Sequence, residues 1–352
     1  MQAWRVHGIG EPADVLRLDE IPEPVVDDFA GMTMALQGWV PASPELEPFT
    51  DWVMMRMSHA ALALPDVTMA RGHYPVPVER PYITGQEGVG EVIGAAPGWE
   101  HMLGKRVAAV AIQPWGSLAP VTVGISMIFE IPEGMSDEQA AGFLIPAHTA
   151  YHAAIRRGQV QAGETVVVLG AAGGLGSAIV QLCLAQGARV IAVVGSADKV
   201  AFCESLGAEA VDHSDHSAGS FTDQVRALTG GAGVNAVIDP VQGEMGVEAQ
   251  TLLAPDGRRV LCGHAGGLVA HEPHFYMYNH TLVGATLGSY PRDEMRRINR
   301  ETQDALVTLL AEGRYRPTVE RVVDWADVPA ACTDLAEPVS YTHLTLPTIL
   351  RV

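Results

Sequence analysis

The sequence predicts an α/β protein in which a doubly wound parallel sheet is joined to a second, β-rich domain. Three observations carry that reading. Between about residues 124 and 288, β-branched runs alternate with helical stretches: "ETVVVLG", "GSAIVQLCLAQG", "ARVIAVVG", "DKVAFCESLG", "NAVIDPV", "GRRVLCG" and "TLVGATLG". Alternation at this spacing builds βαβ units and hence a parallel sheet. At the first junction, Gly170, Gly173 and Gly176 stand on a GxxGxxG spacing where an uncharged strand turns into a helix. Residues 1 to about 123 instead break into short segments punctuated by Gly and Pro, such as "GEVIGAAPG" and "GKRVAAVAI", which is the pattern of strands and turns.

In chain order, the β-rich domain spans residues 1–123 and carries an insertion at about 26–52, "VDDFAGMTMALQGWVPASPELEPFTDW". A loop of that length serves as a lid or binding surface, or is an inert excursion. The alternating domain follows over 124–288. The longest uncharged run, Thr165 to Ala188, is long enough by count to cross a bilayer. Gly170, Gly173, Gly174 and Gly176 interrupt it, so it reads as strand, turn and helix. Residues 289–338 return to the first domain. There "RETQDALVTLLAEGRYRP" places Ala305, Leu306, Leu309 and Leu310 on one helical face closed by Gly313. The tail, residues 339–352, "VSYTHLTLPTILRV", drops this periodicity and resembles the translation of a common transposon sequencing adapter. It is expected to be an artefact standing in for a lost natural end, with an unpaired edge left in the β-rich domain.

The chain has 352 residues, enough for two domains with substantial cores. Lys and Arg number 22 against 41 Asp and Glu, a net charge of -19, which disfavours nucleic acid and anionic membranes as partners. Cys183, Cys203, Cys262 and Cys332 form no CxxC pair, so neither a disulfide framework nor a zinc knuckle is suggested. The start, "MQAWRVHGIGEP", lacks the apolar core of a signal peptide. A cytoplasmic location is expected.

The glycine turn points to a dinucleotide. Glycine lets the backbone pass close to a pyrophosphate, and the open N–H groups at a helix start attract its charge. An NAD site would present a carboxylate at the end of the following strand to bond the ribose 2′-hydroxyl. Here "ARVIAVVGSADK" ends in Val194, Gly195 and Ser196. Ser196 can donate a hydrogen bond and Lys199 supplies positive charge, so NADP(H) is the expected cofactor. Asp198 is a counterweight, with a capping reason of its own at the next helix start.

With the glycine turn, "GQEGVGEV" and split β-rich arms together, the chain resembles the medium-chain dehydrogenase/reductase superfamily, and most closely its zinc-independent quinone oxidoreductase and enoyl reductase branch. Further carriers are "ALALPDVTMARGHYP", "FLIPAHTAYHA", "GAAGGLGSA", "AVIDPVQG", "VLCGHAGG" and "LVGATLGSY". The resemblance covers nearly all of residues 1–338 apart from the insertion. It implies a GroES-like catalytic domain beside a Rossmann domain, and commonly a homodimer. The zinc-dependent branch places a cysteine where this chain has Ala63 and a histidine where it has Gln86; neither replacement serves as a zinc ligand, so no metal is expected. Glu87 is expected to hold a structural hydrogen bond. Many zinc-free members carry Asn at the position of Ala63, close to the nicotinamide, and its absence bears on ordinary quinone reduction.

The resemblance also places Thr149 near the nicotinamide, the backbone of Gly173, Gly174, Leu175 and Gly176 at the pyrophosphate, and Ser196 and Lys199 at the 2′-phosphate. His213 occupies a slot often filled by tyrosine there; it can stack or donate, or be a surface histidine without a role. Tyr74 matches a cleft tyrosine that can donate a proton to substrate or only pack. His148 and His152, four apart, lack an acidic or cysteine partner and are not read as metal ligands. Arg292, Arg296, Arg297 and Arg300 form either a solvated helix face or an attractor for an acyl-CoA phosphate. Cys262 ends a strand as a small buried residue. The expected reaction is hydride transfer from NADPH to a quinone or to the activated C=C bond of an enone or enal. The alternatives are an enoyl-CoA or enoyl-carrier-protein reductase and a non-enzymatic NADPH-binding protein.

Overall fold

The computed structural model describes residues 1–29, 49–74, 78–111, 113–268, 271–336 and 348–351. Most of the insertion expected at 26–52 lies outside them. Its two ends are described: Phe29 and Phe49 meet Trp52 in a small aromatic core with Val123 and Ile125.

In the β-rich domain, β1 (Gln2–Val6) pairs antiparallel with β2 (Leu16–Glu20) across α1 (Pro12–Val15). Next come β3 (Trp52–Leu62), α2 (Leu64–Ala70), β4 (Tyr82–Ile83), β5 (Glu87–Ala95), β6 (Arg106–Val110) and β7 (Val121–Glu130). β3 pairs with β5 and, through residues 52–56, with β7, so β3, β5, β6 and β7 close on themselves and leave residues 59–62 of β3 unpaired on the β7 side. The division expected after residue 123 falls inside β7, which is one continuous strand. α3 (Asp137–Ala141), N-capped by Ser136, and α4 (Leu144–Tyr151) then lead out of this domain. α4 continues into a π-helical turn over His152–Arg157.

The second sheet is parallel throughout. It is built from β8 (Thr165–Leu169), β9 (Arg189–Val194), β10 (Glu209–Asp212), β11 (Val234–Asp239), β12 (Leu253–Leu261) and β13 (Thr281–Gly284) in the order β10-β9-β8-β11-β12-β13. The crossovers include α5 (Gly174–Ala185), α6 (Ala197–Ser205), α7 (Phe221–Leu228) and α8 (Gly243–Gln250). Val166, Val167, Val168 and Leu169 of β8 are all fully buried, which is why this run carries no charge. The run from Thr165 is therefore a central strand followed by a helix; no described helix is long and apolar enough to cross a membrane. The strand order reverses between β8 and β11, and ligands of doubly wound sheets bind at such a crevice.

The chain returns through α9 (Arg292–Ala311), β14 (Arg321–Asp324) and α10 (Val328–Ala336). β15 (Thr348–Arg351) pairs antiparallel with β3 and parallel with β14. An unpaired edge is expected in the β-rich domain; residues 348–351 of the tail instead pair with β3, since strand pairing is made by backbone groups and a short segment suffices.

Candidate functional site

The glycine turn sits where expected, between the end of β8 and the start of α5. Gly173 is the N-cap and the helix begins at Gly174, so Gly174, Leu175 and Gly176 contribute first-turn N–H groups with no intrahelical acceptor. Ser177 N donates to Gly173 O at 2.8 Å and closes the first turn. A Cβ on Gly176 would come within 2.1 Å of Gly170 O, so only glycine lets α5 pack this close to the turn. The result is a backbone cradle with the positive end of a twelve-residue helix behind it.

One strand away, Ser196 follows β9 as the N-cap of α6, Lys199 lies in that helix, and His213 follows β10. The Ser196 hydroxyl makes no capping bond, and Asp198 lies in the first turn, where its charge meets the helix dipole. Asp212 ends β10 opposite Val194 of β9, and His213 N donates to Val194 O at 2.8 Å. The His213 ring turns a buried Nε2 inward with no protein partner. Burial depresses the pKa of both Lys199 and His213, while Asp212 pulls each the other way. Asp212 is itself committed, with Oδ1 accepting from Ser214 N at 2.8 Å and Ser214 Oγ at 2.7 Å. A hydroxyl, an ammonium and an imidazole nitrogen are groups that can bind an anion.

Thr149 is half-buried on α4, and three contacts fix that helix. Glu87 of β5 accepts from Ile145 N at 2.9 Å, which is the structural bond expected of it. Burial pushes the Glu87 carboxyl up to about 8 against the opposing pull of that bond. His148 Nε2 and Gln303 Oε1 of α9 lie 2.9 Å apart, and Phe129 stacks on the His148 ring at 5.4 Å between centroids. A second buried acid, Asp66, joins the start of α2 to the turn before β5. Its oxygens accept from Ala63 N at 3.0 Å, Thr84 Oγ1 at 3.0 Å and Gly85 N at 2.8 Å, and burial raises its pKa to about 6.

Comparison with known proteins reaches the same architecture. The family model described as zinc-binding dehydrogenase matches residues 174–304. Quinone oxidoreductase-like protein 2 of Bos taurus is 30% identical over 282 residues, covering 78% of this chain and 79% of its own length. The chain belongs to the medium-chain dehydrogenase/reductase superfamily, in its quinone oxidoreductase and enoyl reductase branch. Among solved structures, the quinone oxidoreductase of Thermus thermophilus is 29% identical with a TM-score of 0.77, covering 100% of both chains. A probable oxidoreductase from Mycobacterium abscessus is also 29% identical, with a TM-score of 0.79 over 100% of this chain and 99% of that one.

The matched segment 174–304 begins with α5 and ends in α9, so it excludes the positions at which the superfamily's zinc-dependent members hold their metal. Here Ala63 is the N-cap of α2 and Gln86 stands beside Glu87, and neither offers an imidazole or thiolate. Among the described residues no three or more His, Cys, Asp or Glu come together as a metal set. His148 and His152 are buried, and burial holds both rings down at about 4. Tyr74 is half-buried and packs on the core that includes Leu62, Val67 and Tyr82. The α9 arginines are largely engaged: Arg296 grips Asp51 at 2.8 and 3.1 Å, and Arg297 pairs with Glu301 at 2.6 Å and Glu294 at 2.9 Å. Cys262 follows β12 half-buried, its thiol pKa pushed up by burial. Two features escaped the sequence reading. The Asp66 hub was signalled by an acid three residues after a helix start with Pro65 between them, half of a capping box. The His148–Gln303 bond joins positions 155 apart and had no local signal.

Proposed function

We propose that the chain is a zinc-independent, NADPH-dependent oxidoreductase that transfers hydride to a quinone or to the activated C=C bond of an enone or enal. The observation that carries this reading is the α5 backbone cradle at residues 173–176, with Ser196, Lys199 and the unpaired Nε2 of His213 following the neighbouring strands β9 and β10. The Thermus thermophilus relative was solved in complex with NADPH, which supports the same cofactor here. The residues present fit it: Gly170, Gly173, Gly174, Leu175 and Gly176 would hold the pyrophosphate, and Ser196, Lys199 and His213 the 2′-phosphate. When bound, the reduced nicotinamide supplies the hydride.

The chain's own part is to bind, orient and neutralise. Glu87, Gln303 and Phe129 fix α4 and so hold Thr149 at the nicotinamide end of the cleft. Charge developing on the acceptor oxygen requires a donor, supplied by backbone N–H groups or the Tyr74 hydroxyl. An enoyl thioester suits the same chemistry, but the committed Arg296 and Arg297 leave little for a CoA phosphate, so the compact acceptor is preferred. A homodimer through the β13 edge fits the exposed Leu268, Tyr276, Met277 and Tyr278 near it. Four free cysteines suit a cytoplasmic setting.

The test is a titration with NADPH and NADH followed by reduced-nicotinamide fluorescence, then a turnover screen with quinones, enones and enoyl-CoAs. Preference for NADPH and turnover of a quinone or enone is the expected result. Equal or stronger NADH binding would overturn the cofactor assignment, and turnover confined to enoyl-CoAs would replace the acceptor class.

A further inference from the structure

The loops that leave the C-terminal ends of β11 and β12 are zipped to one another. Cys262 N donates to Asp239 O at 3.1 Å, Gly266 N donates to Val241 O at 2.7 Å, and Gly243 N donates back to Gly267 O at 3.1 Å. The loops lie so close that two positions require glycine: a Cβ on Gly243 would meet Gly266 O at 2.4 Å, and one on Gly263 would meet Pro240 O at 2.4 Å.

Gln242 stands in the middle of this zipper in a conformation that glycine adopts readily and other residues rarely, with φ 58° and ψ -140°. Three bonds hold it there. Its N–H donates to Asp239 Oδ1 at 2.6 Å, its carbonyl accepts from Gly246 N at 3.1 Å, and its Nε2 reaches across to donate to Gly263 O at 2.5 Å. Asp239 is fixed in turn by the buried Arg259. Glycine would relieve the backbone but could not make the bridge to Gly263, which is the one bond of the zipper made by a side chain of the β11 loop. Backbone strain held in this way is characteristic of ligand clamps.

The position of the zipper gives the bridge a use. Strand order reverses between β8 and β11, and a dinucleotide lies across such a crevice with one half on each side. Ser196 and His213 follow β9 and β10 on one side; the zipped loops follow β11 and β12 on the other. We infer that Gln242 is a positioning residue for the nicotinamide half of the cofactor, its amide locking the loop after β11 to the loop after β12 so that the two form one fixed wall of the crevice. The inference rests on the NADPH site proposed above.

The experiment is a fluorescence titration of the full chain, Q242M and Q242G with NADPH, alongside calorimetric titration with adenosine 2′,5′-bisphosphate, which carries the 2′-phosphate but no nicotinamide. Methionine matches glutamine in length without its donor. Glycine also lacks the donor but suits the positive φ, so Q242G should fold even where Q242M does not. Both variants are expected to bind NADPH about two- to tenfold more weakly, the worth of one hydrogen bond, with the bound-nicotinamide emission shifted toward that of free cofactor and the bisphosphate affinity unchanged. If Q242G keeps the affinity and emission of the full chain, or if both ligands weaken equally, the inference fails while the cofactor assignment stands. If the full chain binds neither ligand, the assignment fails and the inference with it.

Discussion

Asp239 and Arg259 form an ion pair in which neither side chain has any solvent exposure, at the C-terminal end of the parallel sheet. Arg259 Nε donates to Asp239 Oδ2 at 2.8 Å; Nη2 is 2.7 Å from the same oxygen but off the hydrogen-bonding direction, so the Nε contact carries the bond. Asp239 Oδ1 accepts from Val241 N at 2.9 Å and Gln242 N at 2.6 Å, which fixes the loop entering α8. Removing one partner strands a buried charge. Arg259→Met is expected to cost about 3–5 kcal/mol, and Asp239→Asn in the same chain to restore part of it. Urea denaturation of both single variants and the double variant measures this; a double-variant loss equal to the sum of the single losses would show that the pair is not coupled.

Glu87 gives stability a pH dependence of definite sign. Its folded pKa of about 8 lies above its ordinary value of 4.5, so across that interval the folded chain keeps a proton that the unfolded chain releases. The contribution is full below about 4.5 and lost as pH rises through about 8. Asp66, raised to about 6, acts in the same direction over a lower window. Glu87→Gln still offers an acceptor to Ile145 N but does not titrate. Its Tm should therefore fall less between pH 6 and 8 than that of the parent chain, and parallel curves would contradict this account.

Periodicity and turn chemistry carried most of the fold. β8, the glycine turn and α5 were legible because burial on both faces, close packing and an open helix start each demand particular residue types in adjacent positions. α9 was legible from its amphipathic face, although the helix begins at Arg292, a full arginine-rich stretch before the apolar pattern that signalled it. The cover over β3 was not legible, since backbone pairing asks little of side chains and residues 348–351 carry no distinctive pattern. Within the site, Ser196 and Lys199 could be named because no carboxylate follows β9 while a hydroxyl and an ammonium do, and His213 because of the family resemblance. What fixes Thr149 was hidden, because Glu87, Phe129 and Gln303 reach α4 from three elements distant in sequence.

Gly176 should tolerate no side chain. The Cβ of Gly176→Ala would meet Gly170 O at 2.1 Å and the Ala171 Cα at 2.8 Å, both backbone atoms, so α5 would have to lift from the turn. A forced fit of this kind costs about 1–3 kcal/mol. Nucleotide binding should suffer more than stability, because the displaced groups are the first-turn N–H donors. Calorimetric titration with NADPH alongside thermal unfolding separates the two; a variant with lowered Tm and unchanged affinity would show that the cradle is not at Gly176.

The His148–Gln303 bond should matter through the placement of α4. Burial holds the His148 pKa at about 4, so the ring is neutral near pH 7, and the amide oxygen of Gln303 accepts its Nε2–H. Gln303→Met fills similar volume but leaves that N–H unpaired in a dry site, at an expected cost of about 1–3 kcal/mol. Gln303→Glu keeps an acceptor and adds a negative charge, which raises the His148 pKa and favours the charged pair as pH falls. The two variants should thus diverge on acidification, with Gln303→Glu gaining stability relative to Gln303→Met between pH 7 and 5. Because Thr149 follows His148 on the same helix, Gln303→Met should also weaken nicotinamide placement, lowering kcat with little change in the Kd for NADPH. Loss of NADPH affinity with unchanged kcat would assign this bond to the nucleotide cradle instead of to the nicotinamide end of the cleft.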